Sequence, residues 1–239
     1  HNNLINSIPF LPWMIHANYE ASPLDFSKMN YKTLEKNNQS NKTIDLSVIC
    51  SNKTNTENHE LRIEFLNILK SHFGNKLEWY GAGFKDIESK SKVIFNSKYH
   101  LVLENDSKNN LISEKLFDAF LGEAFPIYYG APNVSDYFLR DSYKSIDINN
   151  IDESIKNIED LIESDIYLEN INELRDSKNK VLNEYNFINR ILDIVFEKSK
   201  ILTDKEFVTE LYSSQYFWKS LTPLKLKFKK DIKRKLRLN

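Results

Sequence analysis

Short apolar runs alternate with longer stretches in which apolar residues recur every three or four positions. The short runs predict five strands, at 46–50, 77–80, 99–103, 125–129 and 145–148. The periodic stretches predict helices at 59–72, 114–121, 153–165 and roughly 168–200. Strands that alternate with helices of this length indicate βαβ units, so the pattern predicts an α/β fold with a Rossmann-like, doubly wound parallel sheet.

The pattern divides the chain into three parts. Residues 1–43 are weakly patterned and end in a polar Asn/Lys/Ser stretch, which predicts an N-terminal arm followed by a linker. Residues 44–200 contain all the predicted strands and form the main domain. Residues 201–239 are predicted to be a helical C-terminal tail.

Charge is distributed unevenly between the tail and the rest of the chain. The formal net charge is −1, yet residues 219–239 carry nine basic side chains and one acidic side chain. Within this segment an apolar stripe recurs at spacings of three or four, formed by Leu221, Leu224, Phe228, Ile232 and Leu236. A basic amphipathic helix of this kind is typical of a peripheral membrane surface segment. A solvated or domain-packing helix is the alternative, and the acidic body argues against a nucleic-acid partner.

Several classes of protein are excluded by composition. Hydrophobic residues make up 41% of the chain and charged residues 28%, as in ordinary globular proteins. No apolar run reaches the roughly 18 residues of a transmembrane helix. The single Cys50 lies in an apolar run, which predicts a buried thiol in a reducing compartment. The five histidines form no ligand-spaced pair, so we expect no metal site.

The loops that follow the strands are the expected place for a ligand, because doubly wound sheets bind ligands beyond the carboxyl ends of their strands. Ser113 stands at a helix N-cap position, and Glu114 and Lys115 follow in the first turn. A helix N-terminus with a lysine is a credible pyrophosphate site. Glu114, together with Glu104 or Asn105 at the end of a strand, offers acceptors for sugar hydroxyls. The alternative is a well-capped helix start without a ligand.

A combination of motifs resembles the donor-binding signature of the family-10 glycosyltransferases, the α-1,3/1,4-fucosyltransferases. It consists of Glu104-Asn105, Ile112-Ser113-Glu114-Lys115-Leu116, Asp118-Ala119 and Pro126-Ile127-Tyr128-Tyr129-Gly130-Ala131-Pro132. Ser51-Asn52 after the first strand and Arg62 on the next helix are also similar to the family pattern. The resemblance covers about residues 44–195, most of the chain.

The resemblance implies the donor domain of a GT-B glycosyltransferase that binds GDP-fucose and transfers fucose, with inversion, to a hydroxyl of a glycan. Arg62 and Lys115 then neutralise the diphosphate, and Glu114 and Asn105 hold fucose or ribose hydroxyls. The full expected donor set is Ser51, Asn52, Arg62, Glu104, Asn105, Ser113, Glu114 and Lys115. We expect no cofactor and no essential divalent metal.

The acceptor and the cellular site are inferred less directly. A composition rich in Asn, Lys and Ile is typical of AT-rich bacterial genomes. We therefore expect a bacterial surface polysaccharide or lipopolysaccharide as acceptor, and a cytoplasmic location at the inner face of the membrane. Transfer of another nucleotide-linked sugar, or nucleotide binding without activity, are the alternatives.

Two departures from the family pattern affect the expected site. The family often has a tyrosine where this chain has Leu111, so a ring contact with the donor is absent or comes from Tyr80 or Phe84. The acceptor domain that should precede the sheet is nearly absent, which indicates a fragment that starts within a longer chain. We therefore expect the catalytic base upstream of His1, and we interpret Glu20 as a surface residue.

Overall fold

The computed structural model describes residues 13, 15, 31–37, 41–164 and 166–199. By backbone contacts the chain divides into two units, His1–Val195 and Phe196–Asn239. The sheet and the helices up to residue 183 belong to the first unit. The predicted tail at 201–239, and most of the predicted arm, lie outside the described residues.

Five strands and eight α-helices make up the described part of the chain. The strands are β1 (Ile44–Ile49), β2 (Leu77–Tyr80), β3 (Ser97–Leu103), β4 (Phe125–Tyr129) and β5 (Lys144–Ser145). The helices are α1 (Tyr31–Lys36), α2 (Glu57–Phe73), α3 (Lys90–Ile94), α4 (Glu114–Leu121), α5 (Ile151–Ser164), α6 (Ile166–Glu169), α7 (Ile171–Asn183) and α8 (Phe187–Ser199). Three short 3₁₀ helices lie at Gly74–Lys76, Val134–Asp136 and Arg140–Ser142.

The sheet is parallel throughout, with the strand order β2-β1-β3-β4-β5. This confirms the predicted α/β fold with a Rossmann-like, doubly wound sheet. The order reverses between β1 and β3, so connections leave these two strands in opposite directions. A crevice opens at such a point, beyond the carboxyl ends of the strands, and it is the expected ligand site of this architecture.

The central strands are buried on both faces over most of their length, which explains why residues 101–103 and 125–128 are apolar without alternation. In β3, Leu101, Val102 and Leu103 are all at most 3% exposed. Tyr99 connects this strand to α5 and α6. Its hydroxyl donates to Leu161 O at 2.7 Å and accepts from Tyr167 N at 3.0 Å. The site loops are therefore anchored on a rigid core.

Two predicted elements were wrong in extent. The strand predicted at 145–148 is limited to Lys144–Ser145, since Asp147 Oδ1 accepts from Asn149 N at 2.9 Å in a local turn that competes with strand pairing. The single helix predicted at roughly 168–200 is broken twice. Asn170 takes the N-cap position of α7, and Asn186 Oδ1 accepts from Ile188 N at 2.9 Å at the start of α8.

Two helices were missed. The helix α1 lies inside the predicted arm, where the buried Leu34 and a 2.8 Å hydrogen bond from Tyr31 Oη to Asn183 Oδ1 attach it to α7. The five-residue α3 is too short to show a helical period. Within the part of the chain that the structure describes, no helix has the length and hydrophobicity needed to cross a membrane.

Candidate functional site

A cavity of about 660 Å³ opens at the point where the strand order reverses. The carboxyl ends of β1 and β3, the first helical turns of α2 and α4, and the loop after β2 contribute to its walls. Five of the eight expected donor-site residues line it, namely Ser51, Arg62, Asn105, Glu114 and Lys115. The topology therefore brings together residues that are up to 64 positions apart in the sequence.

Arg62 faces this cavity from α2 and is only 7% exposed. Its Nη1 donates to Leu103 O at 3.1 Å, while its Nε is buried without a hydrogen-bond partner in the structure. Its apolar neighbour Leu61 is 40% exposed, so Arg62 and not Leu61 lies on the buried side of this helix. A buried guanidinium whose hydrogen bonds are incomplete is a site where an anion is stabilised.

The start of α4 is held by a compact polar cluster. Ser113 caps the helix, with its Oγ 3.3 Å from Lys115 N. Glu104 is 2% exposed and accepts from Ser113 N at 2.8 Å, Ser113 Oγ at 2.7 Å and Lys115 Nζ at 3.2 Å. Both oxygens of Glu104 are thus engaged inside the protein, which favours a supporting role over the direct sugar contact expected from the sequence.

Lys115 and Glu114 are more accessible than the cluster beneath them. The Lys115 side chain is 29% exposed and that of Glu114 25%, with 3.7 Å between Nζ and Glu114 Oε1. Both line the cavity at the N-terminus of α4, where free N–H groups and the helix dipole favour negative charge. This end of the cavity can hold an anion and, beside it, a group that donates hydrogen bonds to a carboxylate.

Asn52 packs on the glycine turn after β2 and does not line the cavity. Its N donates to Ala82 O at 3.0 Å, and a Cβ on Gly83, whose φ is +89°, would lie 2.2 Å from Asn52 Nδ2. A Cβ on Gly81 would similarly lie 2.6 Å from Cys50 O. The two glycines therefore allow the loops after β1 and β2 to approach closely, and Gly81 itself lines the cavity.

The structure adds polar residues that sequence reasoning missed. The cavity is also lined by Lys53, Asn55, His59, Asp86, Lys90, His100 and Asp118. Lys90 was hidden because α3 was not predicted, and Asp118 entered only as part of a motif. Asp118 could have been found from the sequence because it lies within the apolar face of α4, where a buried carboxylate needs a buried partner.

Burial and nearby cations shift the pKa values of two groups in the cavity. Burial and then the charge of Lys90 lower the pKa of His100 to about 3, and its Nδ1 lies 2.7 Å from Ser47 Oγ. Burial raises the pKa of the Cys50 thiol, an effect partly offset by Arg62 and Lys115. Cys50 is 8% exposed, as its apolar sequence setting predicted.

Tyr80 and Phe84, which were expected to supply the ring contact that is missing at Leu111, lie away from the cavity. Tyr80 donates to Glu78, and Phe84 stacks on Trp79 with 3.8 Å between ring centroids. Neither residue lines the cavity. Glu20 lies outside the described residues, and among the described ones no group of three His, Cys, Asp or Glu side chains could hold a metal ion.

Comparison with known proteins agrees with this geometry. The family model "Glycosyltransferase family 10 (fucosyltransferase) C-term" matches residues 39–172, more than half of the chain. The chain therefore belongs to glycosyltransferase family 10, and the matched part corresponds to the C-terminal region of that family. The match contains all eight expected donor-site residues.

Individual relatives cover less of the chain. It is 31% identical over 71 residues to the alpha-(1,3)-fucosyltransferase FucT of Helicobacter pylori, a match that spans 29% of this chain and 15% of FucT. A crystal structure of an α1,3-fucosyltransferase is similar at 22% identity and a TM-score of 0.51, covering 73% of this chain and 51% of that one. Another, solved with GDP-fucose, has 22% identity and a TM-score of 0.52, covering 80% and 58%.

These structural similarities confirm the fold expected of a GT-B donor domain. The chain spans about half the length of the two solved structures.

Proposed function

We propose that this chain is the donor-binding part of a glycosyltransferase that moves fucose from GDP-fucose to a hydroxyl of a glycan. The observation that carries the proposal is the convergence of Arg62, Lys115 and the N-terminus of α4 on one cavity, within the segment that matches the fucosyltransferase family. The relatives named above are fucosyltransferases, and one was solved with GDP-fucose.

The proposed chemistry is a single displacement with inversion at the anomeric carbon. A base removes the proton of the acceptor hydroxyl, the hydroxyl oxygen attacks, and the bond to the diphosphate breaks. Negative charge then develops on the departing GDP, where Arg62 and Lys115 stabilise it. Glu114 accepts hydrogen bonds from the hydroxyls of fucose or ribose, and Asn105 can accept from them or donate to them.

We also propose that the reaction requires no cofactor and no divalent metal. The support is the charge of the cavity: Arg62, Lys115 and the N-terminus of α4 supply the positive charge that a metal gives in other sugar transferases. The test is a transferase assay in an excess of EDTA. We expect the activity to be unchanged, with no increase when Mg²⁺ or Mn²⁺ is added.

The remaining proposals concern the acceptor and the place of action. We infer a bacterial surface polysaccharide or lipopolysaccharide as acceptor, made at the cytoplasmic face of the membrane. The basic residues in 219–239 support this, because anionic lipids attract such segments. No nucleic-acid partner is proposed.

Calorimetric titration tests the donor assignment most directly. The chain is titrated with GDP-fucose, GDP-mannose, UDP-galactose and GDP. We expect GDP and GDP-fucose to bind, UDP-galactose to bind at least tenfold more weakly, and GDP-fucose to exceed GDP-mannose. Preference for GDP-mannose or UDP-galactose indicates another sugar nucleotide, and binding of GDP alone indicates a nucleotide-binding module without fucose recognition.

A further inference from the structure

His59 lies at the cationic end of the same cavity. It stands one helical turn before Arg62 on α2, so both side chains face the cavity from one side of that helix. His59 N donates to the N-cap residue Thr56, which fixes the backbone of this turn. The side chain is half-buried, and its Nδ1 is buried without a hydrogen-bond partner in the structure.

Positive charge surrounds His59 from three separate elements. Arg62 lies on the same helix, Lys53 in the loop after β1, and Lys115 at the start of α4. Burial is the first cause that lowers the pKa of His59, and the charges of these three cations lower it further. Both effects disfavour the protonated imidazole while no anion is bound beside it.

The carboxylates of the cavity do not cancel this effect. Asp118 is paired with Lys90, at 2.9 Å between Oδ2 and Nζ. Glu114 lies 3.7 Å from Lys115 Nζ, and Asp86 lines the wall formed by the loop after β2. None of the three is among the groups that act on the pKa of His59.

We propose that His59 is a third contact for the diphosphate of the sugar nucleotide and that it binds a proton when the diphosphate enters. The inference rests on the proposed function, since it needs a diphosphate at Arg62 and Lys115. Two negative charges placed there neutralise the cations that keep the imidazole uncharged. The protonated ring then donates a charged hydrogen bond to a phosphate oxygen.

A pH dependence of binding follows from this coupling. The bound state holds more protons than the free state between the two pKa values of His59, so affinity rises as the pH falls through that window. Above the bound-state pKa the ring is neutral in both states, and affinity becomes independent of His59. Where a full proton is taken up, affinity changes about tenfold per pH unit.

GDP-fucose is the appropriate probe for this coupling. Its diphosphate is esterified at both ends, whereas the terminal phosphate of GDP titrates near pH 6 and would add its own proton change. Titration calorimetry of the full chain at pH 6, 7 and 8, in buffers with different ionisation enthalpies, gives the number of protons bound. We expect a measurable uptake of at most one proton, and tighter binding at pH 6 than at pH 8.

His59→Gln is the test variant, and His72→Gln is the matched control on the same helix. His72 is exposed, lies 2.7 Å from Glu159 Oε1 and does not line the cavity. We expect His59→Gln to abolish proton uptake and the gain in affinity below pH 7, with His72→Gln behaving like the unaltered chain. His59→Asn provides a second variant, and thermal unfolding confirms that both remain folded.

The outcomes separate this inference from the proposed function. Binding of GDP-fucose without proton uptake, or uptake that persists in both His59 variants, overturns the role of His59 and leaves donor binding intact. Failure of GDP-fucose to bind at any pH overturns the proposed function, and this inference with it.

Discussion

Lys90 and Asp118 join the start of α3 to the middle of α4 through an ion pair with 2.9 Å between Nζ and Oδ2. Their side chains are 11% and 1% exposed, so the pair is shielded from water. Because α4 begins with Glu114 and Lys115, the pair also fixes the helix that carries the anion site. The buried charges therefore connect stability with the geometry of the cavity.

Removal of either partner should be costly. We expect Lys90→Met or Asp118→Asn to lower the free energy of unfolding by about 3–5 kcal/mol, because either change removes the ion pair that compensates a buried charge. Urea denaturation measures the change. The double variant Lys90→Met/Asp118→Leu should recover much of the loss, since no buried charge then remains.

Lys92→Met is the matched control, because Lys92 pairs with Glu88 at the exposed surface of the same short helix. Exposed pairs contribute about 0–1 kcal/mol. Equal losses of stability in Lys90→Met and Lys92→Met would contradict the assignment of a buried pair.

Sequence patterns recovered the four longer strands because each contains a short segment rich in apolar residues. They also located Ser113 at the start of α4, since capping chemistry is local. The broken helices after residue 166 were missed because Asn170 and Asn186 interrupt apolar patterns that otherwise continue. Local patterns cannot show an interruption that depends on how neighbouring helices pack.

The candidate site was predictable only in part, for a related reason. Lys115 could be identified because it follows a helix N-cap, and Arg62 because the segment resembles the family pattern. The supporting role of Glu104 depends on three donors that surround its carboxylate in space. Lys90 and His59 face the cavity because of the strand order and the rotation of α2, which no single segment specifies.

Arg62→Ala and Lys115→Ala should each weaken GDP binding by about 1.5–3 kcal/mol, the contribution of a charged hydrogen bond to phosphate. Calorimetric titration with GDP is the measurement, after circular dichroism has shown that each variant is folded. Lys98→Ala serves as control, because Lys98 lies 3.7 Å from Asp45 and does not line the cavity. Unchanged GDP affinity in both cavity variants would refute the site assignment.

Glu114→Gln should reduce affinity for GDP-fucose more than affinity for GDP. The carboxylate is the stronger acceptor for a hydroxyl, and GDP alone lacks the fucose hydroxyls. Paired titrations with the two ligands give the difference. Glu64→Gln, at an exposed position of α2 outside the cavity, is the control. Equal losses for both ligands would show that Glu114 does not face the sugar.

His100 should destabilise the fold in acid. Its pKa is about 3 in the folded chain, so between the ordinary value near 6.5 and about 3 the unfolded chain binds more protons. Stability that is present above pH 6.5 is therefore lost as the pH falls, at a rate of up to about 1.4 kcal/mol per pH unit. Urea unfolding between pH 7 and 4 tests this. The free energy of unfolding should fall less steeply with decreasing pH in His100→Asn, by up to about 1.4 kcal/mol per pH unit. An identical slope in the variant would contradict the prediction.

The basic segment 219–239 lies outside the described residues, and its sequence predicts attachment to anionic membranes. We expect the chain to sediment with phosphatidylserine vesicles at low salt and to be released at high salt, since each basic residue near the surface contributes about 1 kcal/mol. Deletion of 219–239 should abolish sedimentation and leave GDP binding unchanged. Replacing Leu224, Phe228 and Ile232 with serine keeps every charge. A loss of membrane binding in this variant would show that the apolar stripe is required in addition to the charges. A full chain that stays in the supernatant at low ionic strength would rule out membrane attachment through this segment.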